Sequence, residues 1–376
     1  MNTAPIFDEA LAGIKASTLN LDAWPVATDT FYQGKFKDAL LAVLNYINAD
    51  FVKKYANADL SEFAIPHGSL TVYLTIKDNM WKVEAPFLKL PEKGSIPLMR
   101  QVAELNFGTL ILSQIFARNG ELHFEYSAPL ELCEPYKVYA VFQEICNNAD
   151  YYDDFFIEKF GAERLAKMQV QQFTPEQLAT ANKKFHEYLK EALDYCAFFE
   201  DRRLYDYALD ALCIGLMKID YFMAPQGFLR NQIEKSIGDM FAKKSMNELL
   251  ADAKTNYAKF TAMDEAQLFT SLYIPEVFIS AKSRADVQGV QNRMKNDYVR
   301  GKDQYAGNDF MGATSTFMFA IYDVLYRYNI PPSLYKIFQN ALTQASAKPF
   351  KESAEILYNA ATLIQDMKLQ NSSTPQ

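Results

Sequence analysis

Four apolar residues at strict two-residue spacing, Leu70, Val72, Leu74 and Ile76, alternate with Thr71, Tyr73 and Thr75. That run constrains the fold more than any other. A period of two puts all four on one side of an extended strand, and that side must be covered. Asp78-Asn79 supplies turn chemistry, and Trp81, Val83 and Ala85 then alternate with Lys82 and Glu84, so a hairpin with one buried face is expected. The segments around it alternate between helical and strand periods. Phe36–Tyr55 has Leu40, Leu41, Leu44, Ile47, Phe51 and Val52 at helical spacing. Pro86 sets Phe87–Leu90 apart as a short edge-like strand. Ile96–Phe107 is helical through Leu98, Val102 and Leu105, and Leu110–Phe116 is β-prone. Asn119-Gly120 is a strong hairpin turn, followed by alternating Leu122, Phe124 and Tyr126. Pro135 opens a long helix containing Val138, Phe142, Ile145, Tyr152, Phe155 and Phe156. The order α-βββ-α-ββ-α predicts an α+β antiparallel sandwich.

The second half has no convincing strand. Helices are expected over 175–199, 202–223, 226–242, 245–260, 264–280, 285–305, 311–328, 333–345 and 351–367, punctuated by Pro225, Pro275, Pro331 and Pro332. Charge changes near residue 170. Residues 1–170 hold 15 basic and 22 acidic side chains, a balance of −7. The remainder of the 38 basic and 46 acidic residues is 23 and 24, a balance of −1. Ala166–Glu176, with Gln169, Gln171 and Gln172, has linker composition, and Thr174-Pro175-Glu176 has the chemistry of a helix start. The expected organisation is therefore an N-terminal extension over 1–27, an α+β domain over 28–168, an all-α domain over 170–370 and a disordered tail over 371–376. A weak repeat runs through the helical half. Tyr188 and Tyr195 return as Tyr298 and Tyr305, Tyr221 as Tyr328, and Ser245, Leu249 and Ala253 as Ser353, Leu357 and Ala361. An offset near 110 residues suggests stacked helical hairpins in two repeated units.

The element order, the run LMRQVAELNFGTLILSQIFARNGELHFEYSAPLEL (Leu98–Leu132) and the local acidity carry a resemblance. Over residues 30–165 the chain resembles the type III secretion chaperone-like superfamily, including YbjN-like and Tir-chaperone-like domains. The resemblance implies a non-enzymatic domain that dimerises, here through Leu98 and Val102 on the middle helix. It also implies a surface that holds a secreted client in extended form. About 200 further helical residues set this chain apart from the small single-domain chaperones and favour an adaptor associated with a bacterial secretion or surface machine.

The other chemistry tested is weak. The formal charge of −8 argues against general nucleic-acid binding. No signal peptide is legible and no run reaches about 18 apolar residues, so a cytoplasmic protein without a membrane span is expected. Cys133, Cys146, Cys196 and Cys213 form no CxxC pair and suit free thiols in a reducing compartment. His123 with Cys133 would be a nucleophile–base pair on residue type alone, and Asp150 with Asp154 shares a helix face. Neither makes a site in sequence, so no catalytic residue, metal or cofactor is assigned. Partner binding is expected at Thr71, Tyr73, Ile111, Ile115 and His123, opposite the core face. Arg293, Lys295, Arg300 and Lys302 are a basic docking patch or a solvated helix face with local ion pairs. Three readings stand: a protein-binding adaptor or chaperone, a structural subunit of a larger bacterial assembly, and an enzyme with an unrecognised pocket in the helical half.

Overall fold

The computed structural model describes residues 3–11, 19–165 and 170–368. The expected tail over 371–376 and residues 166–169 of the expected linker lie outside them. The chain forms two units. One is built from Thr18–Gln172 and Tyr273–Ala281, the other from Met1–Ser17, Phe173–Leu272 and Lys282–Gln376. The division is thus not a single point near residue 170. The expected N-terminal extension is shared between the units, and nine residues of the second half belong to the first unit.

The first unit is α+β as expected, although its first strand, Glu62–His67, falls where none was expected and Phe87–Lys89 belongs to the strand that precedes it. Helices α1 (Ala23–Tyr32), α2 (Phe36–Ile47) and α3 (Phe51–Tyr55) precede strands β1 (Glu62–His67), β2 (Leu70–Lys77) and β3 (Met80–Lys89). Helix α4 (Ser95–Gly108), strands β4 (Gln114–Arg118) and β5 (Glu121–Pro129), and helix α5 (Pro135–Phe160) follow. The strands pair in the order β1-β2-β3-β5-β4, all antiparallel, and β6 (Glu163–Arg164) pairs with the end of β3. Both hairpin turns are of the tight kind with positive φ at both central residues: Asp78 and Asn79 at 51° and 57°, Asn119 and Gly120 at 51° and 81°. The alternation of β2 is realised, with Leu70, Val72, Leu74 and Ile76 buried and Tyr73 and Lys77 exposed. Trp81, Phe124, Phe142 and Phe156 are fully buried in the core.

Two sequence expectations are corrected here. Pro86 does not end a strand. β3 continues past it with a bulge between Pro86 and Leu88, which turns both Phe87 and Leu88 into the core. Residues 110–113 are a loop, and β4 starts only at Gln114.

The second unit is helical except for a short parallel strand pair that the sequence does not announce, Ser283–Arg284 with Tyr328–Asn329. Thr174 caps α6 (Pro175–Glu200) as expected. Its hydroxyl accepts from Gln177 N–H at 3.2 Å, the Gln177 side chain accepts from Thr174 N–H at 2.9 Å, and Pro175 opens the first turn. α7 (Tyr205–Met223), α8 (Gly227–Asp239) and α9 (Met246–Thr261) follow, then α11 (Val287–Ala306), α12 (Phe310–Arg327), α13 (Pro332–Ala345) and α14 (Phe350–Gln365). The two quartets share one pairing pattern: first helix with second, fourth with first, second and third. The central helices α7 and α12 pack on each other. Leu249 and Leu357, and Ala253 and Ala361, are equivalent buried positions. Ser245 and Ser353 are not, because Ser245 caps α9 whereas Ser353 lies inside α14.

The helix expected over 264–280 stops early. Only α10 (Glu265–Thr270) forms. The chain then enters the first unit as an extended strap, where β8 (Tyr273–Pro275) pairs with β7 (Val170–Gln172). Gly68 N–H donates to Glu276 O at 2.9 Å. The Phe278 ring sits 5.5 Å from Phe51 and 4.9 Å from Phe142, and Phe278 and Ile279 are core residues of the α+β unit.

Candidate protein-binding surface

One face of the five-stranded sheet is buried under helices and the other is open. On the open face the register sets Tyr73 beside Glu84, Glu84 beside Glu125, and Glu125 beside Gln114. A second row sets Pro86 beside His123 and His123 beside Phe116. The charges on this face pair internally. Lys82 Nζ is 2.6 Å from Glu84 and 3.8 Å from Glu125, Arg118 is 2.5 Å from Glu125, and His123 lies 3.4 Å from Glu84 and 3.5 Å from Glu121. Glu84 is held below the usual carboxylate range by the hydrogen bond from Lys82. Exposed Tyr73 and Phe116 are its apolar points.

The edge beside Phe116 is unusual. The Asn106 carboxamide imitates a neighbouring strand, its Oδ1 accepting from Ile115 N–H at 2.7 Å and its Nδ2 donating to Ile115 O at 2.8 Å. Just before it, Glu144 from α5 accepts from the N–H groups of Ile111, Leu112 and Ser113 at 2.7, 3.0 and 2.6 Å, and from the Ser113 hydroxyl at 2.7 Å. Charge-assisted bonds of this kind are strong and directional, so the loop is held in one shape. That shape keeps Ile111 87% exposed, and Phe107, in the last turn of α4, is 96% exposed. A loop free to collapse would cover Ile111. This one is fastened with that side chain in water.

The expected site residues divide accordingly. Thr71, Tyr73 and His123 lie on the open face, and Ile111 is at the loop tip. Ile115 is corrected. It faces inward from β4 and is 3% exposed. Leu98 and Val102 are corrected too, because both are buried on the inner side of α4. The outer side of that helix carries Ile96, Arg100, Ala103 and Phe107. Phe107, Asn106 and Glu144 were not singled out in sequence, because nothing in a lone aromatic or amide marks it as outward-facing.

The chain matches no family model. It matches no curated protein either.

The other chemistry is structural. His67 at the end of β1 meets Cys146 and Asp150 on α5. Its Nε2 is 3.2 Å from Asp150 Oδ2, and its Nδ1 accepts from Phe278 N–H at 3.1 Å. These are the residue types of a nucleophilic triad. Burial, however, pushes the Cys146 thiol up and leaves it no access to solvent, so it is no activated nucleophile. Burial also opposes a charge on His67 while Asp150 pulls its pKa upward, and the Phe278 bond uses the Nδ1 lone pair. The group fastens the strap. Gly68 is required beside it, with φ at +54° and a Cβ there falling 2.8 Å from Asp150 Oδ1. His123 and Cys133 do not meet. His123 stays on the open face, while Cys133 Sγ donates to Phe36 O at 3.2 Å and burial pushes its thiol up to about 11. Asp154 pairs with Arg164. Among the described residues no group of three or more His, Cys, Asp or Glu side chains could hold a metal ion. No described helix is long and apolar enough to cross a membrane.

Of the four basic residues on α11, the two arginines form ion pairs. Arg293 pairs with Asp323 at 2.5 Å and Arg300 with Asp297 at 3.2 Å, while Lys295 and Lys302 are exposed. Arg300 also lies 3.7 Å from Asp210 on α7. Burial pushes the Asp210 carboxyl up to about 7, partly offset by Arg300. Between the unfolded value near 4 and about 7, the folded chain therefore holds a proton that the unfolded chain has lost, and stability falls as pH rises through that window. Asp210→Asn removes the effect. Its urea midpoint should match the parent near pH 4 and exceed it at pH 8 by an equivalent of ~4 kcal/mol. A pH-independent difference would show that Asp210 is ionised throughout.

Proposed function

We propose that the chain is a non-enzymatic protein-binding adaptor or chaperone of the bacterial cytoplasm. Its α+β unit holds an extended segment of a partner polypeptide along the β4 edge. Phe107, Ile111 and Phe116 are the apolar anchors, and Thr71, Tyr73 and His123 line the adjoining face. The observation that carries this reading is a pair of almost fully exposed bulky side chains, Phe107 in the last turn of α4 and Ile111 on the loop immobilised by Glu144. Preformed anchors reduce the ordering cost of association, and an edge strand offers backbone groups for strand addition. The partner's first step would be to displace the Asn106 carboxamide from Ile115. Four buried free cysteines suit a reducing compartment.

A photo-crosslinking amino acid at position 111 of the full chain tests this in producing cells. One discrete crosslinked species, identified by mass spectrometry, is expected. It should disappear in a Phe107→Ser, Phe116→Ser background whose urea midpoint stays within ~0.5 kcal/mol of the parent. A crosslink to a second copy of this chain would assign the surface to self-association. Absence of any species would remove the adaptor reading.

A further inference from the structure

Residues 3–11 lie along the helical unit in the manner of a bound peptide. Their backbone is met group by group. Ala4 N–H donates to Lys348 O at 2.8 Å, Ile6 N–H to Glu191 Oε1 at 2.8 Å, Phe7 N–H to Ser346 Oγ at 2.9 Å and Leu11 N–H to Phe222 O at 2.8 Å. Thr3 O accepts from the Tyr195 hydroxyl at 2.7 Å. Burial recurs at every third residue, the period of a polyproline-II-like ligand: Ala4 and Phe7 are buried, while Thr3, Ile6 and Glu9 face solvent. The Phe7 ring packs 5.6 Å from Tyr221. Asp8 Oδ2 accepts from Lys184 Nζ at 2.9 Å and from the Tyr188 hydroxyl at 2.7 Å.

The groove has receptor chemistry of its own. Lys218, 2% exposed, places its ammonium 2.5 Å from Glu191 Oε2 and 4.1 Å from the centre of the Tyr188 ring. A buried cation so held fixes Glu191, whose other oxygen is then presented to the Ile6 N–H. Fit is incomplete under Pro5. Beneath Pro5 an apolar cleft remains, lined by Tyr195, Phe199, Ile214, Met318 and Phe350. Ser315, only 7% exposed, also lines it. Proline is too short to fill this space.

We infer that the groove formed by α6, the end of α7 and the α13–α14 turn is a receptor for an extended segment of a partner polypeptide. The pattern it takes is bulky apolar, any residue, aromatic, acidic, and residues 3–11 occupy it in cis as a weaker resident ligand. The acidic position is set by Lys184 and Tyr188, the aromatic one by Tyr221, and the bulky one by the cleft under Pro5. This surface is independent of the sheet edge, so either can fail without the other.

Fluorescence anisotropy with two labelled peptides tests the inference, TAPIFDEAL (residues 3–11) and the same peptide carrying Pro5→Leu. The receptor is the full chain with Phe7→Ser and Asp8→Lys, which weaken its own arm. That variant should bind the Pro5→Leu peptide about tenfold more tightly than the native sequence, because leucine fills the cleft. A peptide carrying Asp8→Lys should not bind. The unaltered chain should bind either peptide ~100-fold more weakly, since its tethered arm competes at about millimolar effective concentration. A folded variant that binds no peptide, or binds the Asp8→Lys peptide equally well, overturns the inference. Elution of the unaltered chain as an arm-exchanged dimer would assign the groove to a second copy and overturn it as well. Should the variant not fold, hydrogen exchange on the unaltered chain decides. Excess Pro5→Leu peptide should accelerate exchange at the Ile6 and Phe7 amides, and unchanged rates refute displacement.

Discussion

Phe278→Ala should destabilise the α+β unit by ~3–5 kcal/mol, although Phe278 stands more than a hundred positions after the last helix of that unit. The ring packs against both Phe51 and Phe142. Its backbone N–H is also bonded to buried His67, so collapse of the strap would orphan that imidazole. The measurement is direct. The chain has two tryptophans, Trp24 and Trp81, and both lie in the α+β unit. Urea unfolding followed by tryptophan fluorescence therefore reports that unit alone, and the midpoint should fall with little change in slope. A shift below ~1 kcal/mol would mean that the unit holds without the strap.

Ile115→Asp and Ile111→Asp should part company, although the residues are four apart and both carry an aliphatic side chain. Ile115 is 3% exposed beneath the sheet, and an aspartate there must be buried as a charge or protonated. A loss of ~4 kcal/mol or more is expected in the same fluorescence measurement. Ile111 is 87% exposed, and its replacement should leave the midpoint within ~0.5 kcal/mol while abolishing partner crosslinking. Equal destabilisation by the two would refute the loop conformation imposed by Glu144.

This pair shows where sequence reasoning succeeds and stops. The alternation at Leu70–Ile76, the turns at Asp78-Asn79 and Asn119-Gly120, and the cap at Thr174 are local signals, and each appears in the fold as expected. The parity of Ile111 and Ile115 is not local. A strand running unbroken through both would turn them the same way. It is interrupted because a carboxylate more than thirty positions later captures three successive N–H groups. Leu98 and Val102 mark an apolar stripe on α4, yet periodicity does not say whether a stripe meets the chain's own core or a second copy. The strap shows the same limit. Asp264 with Gln267 is a genuine helix start, so a helix over 264–280 is the natural reading. Pro275 and the demand for Phe278 elsewhere end it after six residues. What could not be read was destination, because the partners of Phe278 lie on α3 and α5. The candidate surface was legible in outline at Thr71, Tyr73, His123 and Ile111. Its strongest residue, Phe107, was not.

Synthesis runs from one end, so the strap imposes an order of events. When Gln172 leaves the ribosome, every strand of the main sheet has been made, but the space for Phe278 between Phe51 and Phe142 is still empty. At about 5–20 residues per second the missing ring arrives roughly 5–20 s later. Throughout that interval the nascent sheet presents an unfilled apolar socket to the ribosome surface and its attendant chaperones. Truncation at the apparent domain end would make that transient state permanent.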